Sequence, residues 1–146
     1  MQGAHTLSIR HIESEEDLRL VFHVMHELRP KLDVHQFIAR VQAGKAEGFL
    51  IAALFDGGLP MAVTGYRKMT SLNTGATLYV DDLVTTETKR GHGYGKRLFE
   101  FLCAEGIRLG CEVLTLDSGY PRRDAHRFYL NRGMAMVSHH FAMALR

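Results

Sequence analysis

The sequence predicts a mixed α/β (α+β) fold, in which a central mixed, mostly antiparallel sheet carries helices on both faces. Three observations predict it. Three strand-like runs follow one another through tight turns between residues 49 and 85, and segments of helical period stand before and after that series. The stretch from Ala76 to Ser118 then reads strand, Gly-rich turn, helix, strand, which is the order of a parallel crossover. At 146 residues one domain spanning 1–146 is expected, long enough to bury a single core without disulfides or metals.

Thr6 to Ile12 (TLSIRHI) alternates as a strand does, and Ser14 to Asp17 (SEED) reads as a capping box with acids in the first turn of a helix that runs to about Leu28. Pro30 stops it. Asp33 then caps a shorter helix through about Val41, with Val34, Phe37, Ile38 and Val41 on one face, and Gly44 and Gly48 close that unit. Phe49 to Phe55, the turn Asp56 to Gly58, and Met61 to Met69 form a hairpin. After the turn Ser71 to Gly75, Ala76 to Thr85 is a third strand of the meander, rich in β-branched and aromatic residues. From Gly93 the period changes: Leu98, Phe99, Leu102, Cys103 and Ile107 recur at three and four, predicting a helix that ends near Gly110. Glu112 to Ser118 is a short strand, Arg123 to Gly133 a short helix with a glycine stop, and Met136 to Leu145 a closing strand.

Composition narrows the function classes. With 46% hydrophobic and 23% charged residues the chain reads as globular throughout, with no linker or disordered tail. No run approaches the ~18 apolar residues of a membrane span, and the N-terminal MQGAHTLSIR lacks the features of a signal peptide, so a cytoplasmic protein without a membrane partner is expected. Cys103 and Cys111 lack any metal or disulfide pattern and are expected as buried or half-buried free thiols. A net charge of +2 is too small to predict a nucleic-acid partner. His23 and His26 share a helix face without the companions of a metal motif, and His139 and His140 point to opposite faces of the closing strand, so no metal is expected.

Positive charge is nevertheless concentrated, in Lys89, Arg90, His92, Lys96 and Arg97 and again in Arg122 and Arg123. The first cluster is threaded with glycines at 91, 93 and 95 at the start of the long helix. Bare backbone there lets successive N–H groups and the positive end of the helix dipole meet an anion closely, with Arg90, Lys96 and Arg97 adding charge around it. It is not a P-loop, since Gly91 lies only four residues before Gly95 and Lys96 is followed by Arg97 rather than Ser or Thr; nor does it fit G-x-G-x-x-G, whose third glycine would fall one residue later.

R-x-x-G-x-G, read as Arg90, Gly93 and Gly95, resembles the pyrophosphate-binding signature of the GNAT acetyltransferase superfamily. AHRFYLNRGM (Ala125 to Met134) is similar to that family's A-x-x-x-Y-x-x-x-G-[FM] segment, and the element order agrees along the whole chain. The resemblance implies a GNAT-like sheet and acetyl-CoA as cosubstrate. It places the pyrophosphate on Arg90, Gly91, His92, Gly93, Tyr94, Gly95 and Lys96, and the pantetheine along the main chain of Leu83, Val84 and Thr85, one of which would donate an N–H to the acetyl oxygen. It makes Tyr129 the acid that protonates the departing thiolate, a task suited to a phenol, although a tyrosine beside Phe128 on an amphipathic helix is also an ordinary core residue.

The amine acceptor must lose a proton, and Asp81 and Asp82 are the acids within an otherwise apolar strand. On a regular strand only one of them faces the cleft; either could instead bind the ammonium or pair with an arginine. Arg122 stands where the family commonly has a cofactor-contacting asparagine, so Arg122 and Arg123 are candidates for the 3′-phosphate of coenzyme A or for an anionic group of the substrate. The last third, with SHHFAMAL following RRDAHRFYLNRGM, resembles aminoalkylphosphonate N-acetyltransferases, which would bring His139, His140 and Arg122 or Arg123 to an anionic head group. The expectation is N-acetylation of a small primary amine. The alternatives are acetylation of a protein amine or aminoacyl-tRNA, or a coenzyme A-binding sensor without turnover. The family resemblance also implies a homodimer through the C-terminal strands.

Overall fold

The computed structural model describes residues 6–146 and forms two compact units, one reaching to Thr115 and the other Leu116–Arg146. The first half of the stretch read for a signal peptide, residues 1–5, lies outside the described residues. In chain order the first unit holds β1 (Leu7–His11), α1 (Glu15–Leu28), α2 (Val34–Lys45), β2 (Leu50–Asp56), β3 (Leu59–Ser71), β4 (Gly75–Thr85), a short 3₁₀ turn (Glu87–Lys89), α3 (Tyr94–Arg108) and β5 (Val113–Leu116), whose last residue begins the second unit. The strands lie in the order β1-β2-β3-β4-β5, with the first four antiparallel. Glu112, just before β5, donates its N–H to the Ala76 carbonyl at the start of β4, start beside start, as a crossover through α3 requires.

Each early element follows from local chemistry. Ser14 caps α1 by accepting from the Asp17 N–H, but the reciprocal half of the expected box is missing because the Asp17 carboxylate turns to Arg10 at 2.8 Å. Asp33 and Gln36 form both halves of a capping box on α2, which continues through Gly44 to Lys45. Gly44 does not end that helix; it is buried there, where a Cβ would lie 3.0 Å from the Phe49 Cβ. Gly57 and Gly58, both at positive φ, make the two-residue turn between β2 and β3.

β2, an interior strand, is buried along nearly its whole length because helices cover both faces of the sheet. On one face Ile51, Ala53, Phe55 and Val63 pack with Val21, Val24 and Met25 of α1 and with Phe37 and Ile38 of α2. On the other, α3 packs through Leu98, Phe99 and Leu102, and a Cβ on its Gly106 would lie 3.6 Å from the Leu78 side chain.

Three further sequence expectations change. Cys103 and Ile107 do not belong to the buried stripe of α3, and both are exposed. Their place is taken by Glu105, 7% exposed, which accepts from the Tyr66 hydroxyl at 2.8 Å and pairs with Arg108 at 2.7 Å. A buried carboxylate is tolerated where two donors replace its water. The third change lies in the second unit, which contains α4 (Arg123–Asn131) but no closing strand: residues 136–145 have no regular structure and are exposed. Alternation alone makes no strand, since a ladder partner must supply the backbone hydrogen bonds, and this run has none among the described residues.

Candidate active site

The glycine loop takes the backbone path that its composition predicts. Gly91 and Gly93 have φ of 85° and 82°, a region that costs other residues ~1–2 kcal/mol, and Gly93 is the N-cap of α3. No side chain caps this end, so the first amides of the helix, Tyr94, Gly95 and Lys96, have no intrahelical acceptor. Nothing approaches within 4 Å of where a Cβ would stand on Gly91 or Gly93, and Arg90, His92, Lys96 and Arg97 are exposed around them. Open space over aligned N–H groups, ringed by cations, fits a pyrophosphate. His92 stacks on Tyr94, whose hydroxyl donates to Asp56 at the end of β2 and ties the helix start to the β2–β3 hairpin. Glu27, at the end of α1, receives the Thr86 hydroxyl at 2.7 Å and the Glu87 N–H at 2.8 Å, fixing the exit of β4 into the loop.

On β4, Leu83 and Val84 are buried and Thr85 half-buried, opposite Thr64, Val63 and Ala62 of β3. One step before them the ladder slips: Gly65 opposes Asp82 while Tyr66 opposes Val80, so Asp81 is an extra residue in a β-bulge. The alternation expected for Asp81 and Asp82 therefore fails, and both line one pocket. The bulge is held by the buried Thr64 hydroxyl, which donates to the Asp82 carbonyl at 2.7 Å.

Each aspartate meets an arginine. Arg67 donates through two nitrogens to Asp81, both at 3.1 Å, and lies over the Phe49 ring. Arg29, just past α1, donates to Asp82 at 2.8 Å and to the Asp81 carbonyl at 2.9 Å. Burial pushes the Asp82 carboxyl above the ordinary range, and Arg29 only partly opposes this. A carboxylate so placed is a stronger base than a solvated one.

Opposite Asp82, Gly65 is required by space: a Cβ would lie 2.5 Å from Phe49 Cζ and 2.6 Å from Asp82 Oδ2. Gly65→Ala is expected to cost about 1–3 kcal/mol of stability by overpacking, read in denaturant unfolding, and to lower turnover by displacing the carboxylate. An unchanged midpoint and turnover would show that Phe49 and Asp82 yield freely.

The pocket encloses about 580 Å³ beneath α1 and α2, and Met25, Leu28, Phe37, Val41 and Ile51 supply apolar walls. The sequence reading missed Arg29, Arg67, Phe49 and Glu27. The only available signal was that two acids within an apolar strand need partners, and it does not say which arginines supply them.

In the second unit Tyr129 is buried on α4, beside Arg122 at the helix N-cap. Burial raises the phenol above its ordinary range, opposed by the charge and hydrogen bond of Arg122. His139 meets the Tyr120 hydroxyl at 3.3 Å and His140 lies 3.6 Å from Asp117, so these histidines contact the loop after β5 instead of alternating along a strand. Among the described residues no group of three His, Cys, Asp or Glu side chains is placed to hold a metal ion, and no helix is long and apolar enough to cross a membrane.

Comparison with known proteins agrees with this geometry. Residues 8–134 match the Acetyltransferase (GNAT) family. An uncharacterized N-acetyltransferase of Bacillus subtilis, YhdJ, is 31% identical over 137 residues, covering 92% of this chain and 96% of its own. The aminoalkylphosphonate N-acetyltransferase of Salmonella typhimurium is 35% identical over 66 residues, 45% of this chain and 43% of its own. In fold, the chain resembles an aminoglycoside N-acetyltransferase solved with CoA, at a TM-score of 0.86 and 12% identity over 100% of this chain and 99% of the other. With this family match over most of its length and a relative 31% identical along nearly the whole chain, the chain belongs to the GNAT family and is an acetyl-CoA-dependent N-acetyltransferase.

Proposed function

We propose that the chain works as a single acetyltransferase domain that transfers the acetyl group of acetyl-CoA to a primary amine of a small molecule, by direct attack of the amine. Acetyl-CoA supplies an activated thioester; the protein supplies position and proton management. The observation that carries the reading is the pocket lined by Asp81 and Asp82: at about 580 Å³, with apolar walls and two half-buried carboxylates, it has the dimensions of a small-molecule site. The Salmonella relative, named for a small-molecule acceptor, supports the same class.

In this reading the N–H groups of Gly91 to Lys96, with Arg90, hold the pyrophosphate, and the main chain of Leu83, Val84 and Thr85 follows the pantetheine arm. Asp82 takes the proton from the entering ammonium, directly or through water, so that a free amine pair attacks. Asp81, held by two bonds to Arg67, keeps the bulge in shape and positions Asp82. Tyr129 returns a proton to the thiolate, and the guanidinium of Arg122 stabilises the phenolate left behind.

Thiol release from acetyl-CoA, screened over small amines with the purified chain, tests the reading. Acetyl-CoA binding without turnover of any small amine would refute it in favour of a macromolecular acceptor or a sensor. Tyr129→Phe is expected to lower kcat by about 10- to 100-fold with little change in acetyl-CoA affinity. Unchanged kcat would return Tyr129 to the role of a core residue.

A further inference from the structure

The charges lining the pocket do not cancel. Six ionisable residues line it: Arg29, Lys31, Arg40, Arg67, Asp81 and Asp82. Four are matched, Arg29 with Asp82 at 2.8 Å and Arg67 with Asp81 at 3.1 Å, and Arg67 also lies 3.8 Å from Glu47. Lys31, in the connection between α1 and α2, and Arg40, on α2, make no hydrogen bond or ion pair to any described residue. The pocket lining thus includes two exposed cations without counter-charge and no unmatched acid.

We propose that the acceptor is a primary amine that also carries an anionic group, a carboxylate, phosphate or phosphonate, with its amino end at Asp82 and its anionic end at Lys31 and Arg40. The inference rests on this pocket being the acceptor site and goes beyond that reading by naming the charge of the acceptor and the residues that select it. A guanidinium and an ammonium together suit such a group, the first by its planar fork of donors and the second as a compact point charge. Leu28, Phe37, Val41 and Phe49, which line the same pocket, offer apolar surface for a short methylene chain. A polycationic acceptor, such as a polyamine or an aminosugar bearing several ammonium groups, would set a second positive charge against Lys31 and Arg40. Both acids it could use are already engaged by arginines. The selectivity comes as much from this repulsion as from attraction.

The test measures thiol release from acetyl-CoA with four amines of matched length: 3-aminopropylphosphonate, 4-aminobutyrate, butylamine and 1,4-diaminobutane. It uses the full chain, the Lys31→Gln/Arg40→Gln variant and the charge-reversed Lys31→Glu/Arg40→Glu variant, with folding checked by circular dichroism. The wild-type chain is expected to favour at least one anionic amine over butylamine by about 10-fold or more in kcat/KM, and over diaminobutane by more still. The Gln pair should lose that ratio mainly through KM, and the Glu pair should turn it toward diaminobutane. Equal or better turnover of butylamine or diaminobutane by the wild-type chain, or an unchanged ratio in the folded Gln pair, overturns the anionic acceptor and leaves small-amine acetylation standing. Binding of acetyl-CoA with no turnover of any amine overturns both.

Discussion

Replacing Gly93 by glutamate is expected to weaken acetyl-CoA binding by about 100-fold or more while the chain stays folded. Two effects combine. A side chain at φ 82° costs ~1–2 kcal/mol, and a carboxylate then stands over the first amides of α3 where the pyrophosphate would lie. Lost charge-assisted hydrogen bonds of ~1.5–3 kcal/mol each bring the effect into that range. Gly93→Ala separates the terms, because it carries the backbone cost without the charge and, with nothing within 4 Å of its Cβ, meets no clash. Calorimetric titration with acetyl-CoA reads both variants. If the glutamate variant binds as the wild type does, the loop does not hold the cosubstrate.

The second large effect is expected at Asp82. Asp82→Asn keeps the shape and removes the base, and kcat/KM is expected to fall by roughly 100-fold or more at neutral pH. Burial raises the Asp82 pKa above the ordinary value of about 3.9, so the acid limb of the wild-type kcat/KM profile, where the base becomes protonated, should lie above that value. The asparagine variant should lack that limb.

Stability has its own sign. A carboxyl whose folded-state pKa is raised binds its proton more tightly in the fold than in the unfolded chain. Ionised Asp82 therefore costs stability in full above its folded pKa; the cost shrinks as pH falls below that value and is gone below the ordinary, unfolded-state value. The asparagine variant should accordingly be no less stable than wild type at pH 7 and above in thermal unfolding, despite its loss of activity. A retained acid limb together with a lower Tm would make Asp82 a structural partner of Arg29 instead of a base.

Most of the architecture was legible along the chain because it is set by neighbours in sequence. Asp33 and Gln36 are three residues apart and cap α2 from there, and Gly57 and Gly58 carry their own conformational preference into the β2–β3 turn. Gly91 and Gly93 likewise adopt positive φ as bare backbone before a helix should. The backbone path of the glycine loop could thus be read from Arg90 to Lys96, and the family from that stretch together with Ala125 to Met134 and the element order along the chain. Residues 136–145 show the limit of such reading, since their alternation was legible and the missing ladder partner was not.

What the tertiary structure decided is which charged groups are buried and with whom. Nothing within α3 marks Glu105 as a core residue in place of Ile107; that follows from the Tyr66 hydroxyl, which lies 39 residues away. Arg29 and Asp82 are 53 residues apart, and the carboxylate gains its environment only when α1, α2 and β4 pack around it. The bulge that turns Asp81 and Asp82 into one pocket is a register relation between β3 and β4 and exists in neither strand alone. Local conformation is governed by short-range sterics and hydrogen bonds that a sequence displays directly, whereas the protonation and orientation of a buried carboxylate depend on partners delivered by packing.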